Sequence, residues 1–112
     1  MSITRKIHGV ELHFDFDNWG SRSLDGIAAA ERTAALVAAE PPELVRAAHA
    51  LLLKAEIDDE FSDALYEQPD NPEFAPYWRL QRLAEQAREE RLKRPLRDTD
   101  RGFNAYVCLP PG

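Results

Sequence analysis

The sequence predicts an α+β fold: a small antiparallel sheet, built from an N-terminal hairpin and a C-terminal strand, packed against three or four α-helices. Three observations carry that expectation. Residues 2–17 and 103–109 alternate apolar and polar side chains, the period-two signature of half-buried strands. Between them, apolar residues recur at helical spacing through Ala- and Leu-rich stretches. Prolines at 41, 42, 69, 72 and 95 interrupt those stretches where the periodicity lapses. Strands at the two ends are most simply reconciled with helices between them when the strands share a sheet and the helices cover one face.

The hairpin comes first. Val10, Leu12, Phe14 and Phe16 alternate with Glu11, His13, Asp15 and Asp17, and Ile3, Arg5 and Ile7 alternate upstream. Gly9 accepts the positive φ of a tight turn, so the chain is expected to reverse at His8-Gly9. One continuous strand with a bulge at Gly9 satisfies the same pattern. Asp17-Asn18-Trp19-Gly20-Ser21 is turn chemistry, and Ser23 or Asp25 then caps a helix reaching about Glu40. Alanine, the strongest helix former, dominates it, with Ile27, Ala30, Ala34 and Val37 in one stripe. Side chains that small let a neighbouring element approach closely.

Pro41-Pro42 breaks that helix and opens the next. Leu44, Val45, Ala48, Leu51, Leu52 and Ala55 form its wide apolar face. Beyond Glu56 the apolar register moves to Leu53, Ile57, Phe61 and Leu65. Either one helix runs to about Glu67 and rolls its buried side, or it breaks at Asp58-Asp59 and restarts where acids favour a helix N-terminus. The sequence leans to the break. Pro69 to Pro72 is a loop with Asn71 as a cap. The last helix is expected from Pro76 to about Arg94, with Tyr77, Leu80, Leu83, Ala84 and Ala87 inward. After Ala87 its apolar face fades, Glu89–Lys93 and Glu90–Arg94 are spaced as supporting pairs, and this tail should project into solvent or meet a partner. Residues 97–102 are polar loop. Phe103, Ala105, Val107 and Leu109 then point inward from a closing strand, stopped by Pro110-Pro111.

At 112 residues, 44% hydrophobic and 30% charged, the chain has the make-up of one globular domain spanning 1–112. Its single cysteine, Cys108, excludes an intramolecular disulfide. No apolar run is long enough to serve as a leader or a membrane span. A cytoplasmic protein is the expectation. Familiar catalytic patterns are missing: no glycine-rich phosphate loop, no nucleophile spacing around Ser21 or Ser23, no second thiol for Cys108. His49 and Glu56 fall on one side of a helix, where a histidine among alanines and leucines more simply packs. His13, Asp15 and Asp17, spaced roughly 6–7 Å along one strand face, are the metal candidate. An amphipathic strand gives the same pattern with no metal. Neither a catalytic residue nor a cofactor is expected.

Charge is distributed unevenly. Residues 1–75 hold fifteen acids and six bases, while residues 76–112 hold five acids and eight bases, which together give the net −6. The eighteen residues from Glu56 to Glu73 contain eight acids and no Lys, Arg or His. Three arrangements satisfy this asymmetry. The arginines of the last helix could neutralise the acids internally, or the acids could face outward toward a basic protein, or the arginines could bind RNA or DNA. The net negative charge opposes the third. The second gives the expected role: a non-catalytic inhibitor or adaptor, monomer or homodimer, whose carboxylates imitate a phosphate backbone before a basic, nucleic-acid-binding partner. Glu56, Asp58, Asp59, Glu60, Asp63, Glu67 and Asp70 would supply the charge, with Phe61, Tyr66 and Trp78 as apolar anchors.

Overall fold

The computed structural model describes residues 2–16, 23–93, 95 and 107–111, without the side chains of 23–25 and 92. The expected turn at 17–21, the capping side chains of Ser23 or Asp25, the loop at 97–102 and the first half of the closing strand are outside what is described. So are Asp17 and Trp19.

β1 (Ser2–Ile7) and β2 (Val10–Asp15) form the hairpin, in register from Ile7 opposite Val10 to Ser2 opposite Asp15. The turn is the two residues expected, His8 and Gly9, with φ of 51° and 87°. Positive φ at both central positions is the type I′ geometry, whose twist matches that of the flanking strands. β3 (Val107–Cys108) adds antiparallel to β2, giving the order β1-β2-β3. The core side of this sheet carries Ile7, Leu12, Phe14 and Val107, all buried, while Thr4, Lys6 and Glu11 on the other side are exposed.

Four α-helices follow the hairpin. α1 (Ser23–Ala38) lies against both hairpin strands and buries Ala29, Ala30, Thr33, Ala34 and Val37. α2 (Pro42–Ile57) buries Val45, Ala48 and Leu52. α3 (Asp59–Glu67) is amphipathic and packs mainly on α2 through Leu65. After a single 3-10 turn at Pro72–Phe74, capped by the Asn71 side chain on Glu73 N–H, α4 (Ala75–Leu92) runs through the middle of the molecule. It touches α1, α2 and β3, and it buries Tyr77, Leu80, Leu83, Ala84 and Ala87. Fully burying one such large apolar side chain stabilises the fold by about 1.5–3 kcal/mol.

Two polar joints tie these layers together. The His8 ring Nε2 lies 3.0 Å from both the Ala38 and Glu40 carbonyl oxygens. Carbonyls only accept, so Nε2 carries the proton and the hairpin turn satisfies carbonyls at the end of α1 that the helix itself cannot. Arg46 of α2 returns the contact, its Nε donating to the His8 carbonyl at 3.1 Å. The second joint is Gln81 on α4, only 6% exposed. Its amide nitrogen donates to the Val107 carbonyl at 2.8 Å and its amide oxygen accepts from the Val107 N–H at 3.2 Å. A side chain thus takes the place that a neighbouring strand's backbone would occupy.

Three expectations are corrected. α4 begins at Ala75, one residue before Pro76, because a proline inside the first turn costs no helix hydrogen bond. It ends at Leu92 rather than Arg94, where Lys93 takes a left-handed conformation and its N–H bonds the Glu89 carbonyl at 2.8 Å. The tail of α4 does not stand off into solvent: Ala87 and Arg88 are buried, and Glu90 takes a two-bond contact from Arg32 of α1 at 2.9 and 3.3 Å. The alanine stripe of α1 lets the two helices approach closely enough for this.

Candidate functional site

The acidic stretch is organised by one residue. Asp58 has an extended backbone (φ −137°, ψ 103°) that ends α2 and begins α3. Its carboxylate accepts the Phe61 N–H at 3.0 Å, and its carbonyl accepts the Ser62 N–H at 2.9 Å. The break expected at Asp58-Asp59 is therefore a capped joint of one residue. Asp59 and Glu60 then fall in the first turn of α3, where the helix dipole favours negative charge.

All eight carboxylate residues of the stretch are exposed: Glu56, Asp58, Asp59, Glu60, Asp63, Glu67, Asp70 and Glu73. Among the described residues none of them forms an ion pair. The arginines of α4 spend their charge elsewhere. Arg79 pairs with Glu40, and Arg82 lies 3.3 Å from both Glu85 and Glu89. Arg88 is only 4% exposed. Neither Arg79 nor Arg82 neutralises the acidic stretch, as one of the three arrangements open from the sequence would require.

The apolar members of the stretch divide in two. Phe61 is half-buried, edge-on to Phe74 with ring centres 5.5 Å apart, and the Lys54 ammonium lies 4.4 Å above its ring. Trp78 is also half-buried, and its indole N–H donates to the Leu65 carbonyl at 3.0 Å, tying α4 to α3. Both are held by the protein's own packing. The large apolar side chains exposed among the described residues are Ile57 at 86%, and Leu53 and Tyr66 at 49% each. Leu53 and Ile57 are one helical turn apart at the end of α2, where helical spacing alone predicts them in the buried register. Once the chain breaks at Asp58, α3 sets its own register and nothing draws these two inward. Their signal was available: acids at 56, 58 and 59 flank Ile57 on both sides.

Beside this surface lies a groove of about 460 Å³ between α2, α3 and the segment after β3. Leu52, Ala55, Leu109 and Pro110 give it aliphatic walls, and Glu56 and Tyr66 give it a carboxylate and an aromatic ring. The Tyr66 ring is steadied by an edge-to-face contact with Tyr77, centres 5.9 Å apart. Burial, and secondarily Tyr66, pushes the Tyr77 phenol well above its ordinary value, so it stays neutral.

The metal candidate falls only partly within the described residues. His13 and Asp15 share the outer face of β2, but the His13 Nδ1 is bonded to the Thr4 hydroxyl at 2.8 Å, and Asp17 lies outside the described residues. Among the described residues no group of three or more His, Cys, Asp or Glu is placed to hold an ion. Cys108 sits opposite His13 across the β2–β3 pair. Its thiol is pushed up by burial and then by the Asp15 carboxylate, the reverse of what a thiolate nucleophile requires. His49 is half-buried and Glu56 exposed, with no hydrogen bond between them among the described residues.

No family model, no curated protein and no solved structure matches the chain. The fold and the surface define a class by themselves: a small α+β protein with one strongly anionic, partly apolar face. No helix among the described residues is long and apolar enough to cross a membrane.

Proposed function

We propose that this protein is a non-catalytic binding module, an inhibitor or adaptor, whose face over residues 56–73 engages a basic surface of a partner protein. The observation that carries this reading is the unspent charge: eight exposed carboxylates in eighteen residues, none of them in an ion pair among the described residues. Keeping so many like charges close together costs stability unless they meet an opposite charge at least part of the time. Leu53, Ile57 and Tyr66 supply the apolar area at the same place that charge alone lacks, since charges steer and select while desolvated apolar and aromatic groups hold. Exposed carboxylates carried on a helix can imitate a phosphate backbone, so the partner we have in mind is one whose own ligand is a nucleic acid. Binding of nucleic acid through Arg79, Arg82 and Arg88 loses support, because the first two are engaged by glutamates and the third is buried.

The test starts with the partner captured from the native source and reads the rate of association with purified protein. Asp59→Lys, Glu60→Lys and Asp63→Lys combined should slow association by about tenfold or more at low salt and flatten its dependence on salt. Asp58 is left intact in this variant because it caps α3. An association rate unchanged by the triple reversal overturns the proposal.

A further inference from the structure

We infer that the groove between α2, α3 and the Leu109–Pro111 segment is the receptor for an arginine side chain of that partner. The inference rests on the binding role proposed above and names its central contact. The groove joins two kinds of surface that one side chain must match. Leu52, Ala55, Leu109 and Pro110 form aliphatic walls suited to a three-methylene stem. Glu56 contributes an exposed carboxylate that no cation of the described residues takes, and Tyr66 presents a half-exposed ring. Among the described residues no Lys, Arg or His lines the groove. A planar guanidinium satisfies both groups at once, lying over the aromatic ring and meeting the carboxylate through two parallel N–H donors. An ammonium is a compact point charge and can do only part of this.

The walls are also fixed in advance, so closing on a side chain orders little that was loose. Tyr66 is held by Tyr77, and the far wall is anchored through Val107 by the two bonds from Gln81. Pro110 and Pro111 stiffen the backbone there. The acids at 58–63 are neighbours in sequence of the groove residues Glu56, Ser62 and Tyr66, and their negative potential favours the approach of a cation.

The groove carries its own reporter, because Cys108 is the single cysteine of the chain and lines it. Three peptides serve as probes: a lysine-rich peptide with one central arginine, the same peptide with citrulline, and an all-lysine counterpart. Alkylation of Cys108 by iodoacetamide should slow about tenfold when the arginine peptide is present at about ten times its dissociation constant, since the free fraction falls in that proportion. Citrulline and all-lysine peptides should protect much less. Glu56→Gln should weaken protection about three- to fivefold, the effect of one partly exposed charge pair, and Tyr66→Ala should weaken it further. If the arginine peptide binds the acidic face, as read by fluorescence anisotropy and abolished by the Asp59, Glu60 and Asp63 reversals, yet leaves Cys108 fully reactive, the groove inference is overturned and the binding role stands. Equal protection by all three peptides overturns the assignment to arginine. Absence of binding by every peptide at low salt removes both.

Discussion

Asp58 closes α2 and opens α3 with the same stretch of extended backbone, and its carboxylate holds the Phe61 N–H at 3.0 Å. Its neighbours Asp59, Glu60 and Asp63 carry the same charge with no such bond, so residues alike in chemistry differ in role. Asp58→Ala should lower the stability measured by thermal or urea unfolding by about 1 kcal/mol, the usual worth of a helix cap. Asp59→Asn should leave it within about 0.5 kcal/mol, as for an exposed side chain with no partner. An equal loss at the two positions would mean that Asp58 acts through charge alone. Among the described residues, binding and architecture are thus separable to the resolution of a single carboxylate.

At the scale of elements, β3 is the least self-sufficient. Among the described residues two pair with β2, and Gln81 adds bonds to both backbone groups of Val107. Gln81→Leu keeps the bulk but leaves a buried N–H and a buried C=O without partners. At about 1–3 kcal/mol for each orphaned group, the variant should lose about 2–6 kcal/mol in chemical unfolding with the denaturant slope unchanged. Much of the rest was legible in the sequence. His8-Gly9 announced its turn through glycine, Pro41-Pro42 its helix junction through the missing N–H, and Asp58-Asp59 its break through acids at a helix start. What escaped notice depends on contacts distant in sequence. Gln81 reads as one more polar residue on a helix until Val107 is beside it, and Arg32 gives no sign that it reaches Glu90, fifty-eight positions later. The outward turn of Leu53 and Ile57 was hidden because helical spacing states which residues share a side, not which side is covered. Within the proposed face, the charged members were readable from composition, whereas the division between held and exposed aromatics required the packing of α4.

For the whole molecule, the decisive quantity is an imbalance. The chain carries a net charge of −6, and residues 56–73 alone hold eight acids and no base, while Arg79 and Arg82 of α4 are engaged with Glu40, Glu85 and Glu89. Exposed like charges repel across distances comparable with the Debye length, about 10 Å at 0.1 M salt. Adding sodium chloride toward about 0.5 M should therefore raise the unfolding midpoint, and the combined reversal of Asp59, Glu60 and Asp63 should abolish most of that rise. A midpoint that falls with salt would place the attractive pairs above the repulsive ones. The sealed side of the sheet has a different consequence for the protein in a crowded solution. Extended chains recruit one another through open backbone ladders, and a short strand at a rim is an invitation to such polymerisation. At Val107 the invitation is withdrawn by one amide, which takes both of the backbone groups that a further strand would use there.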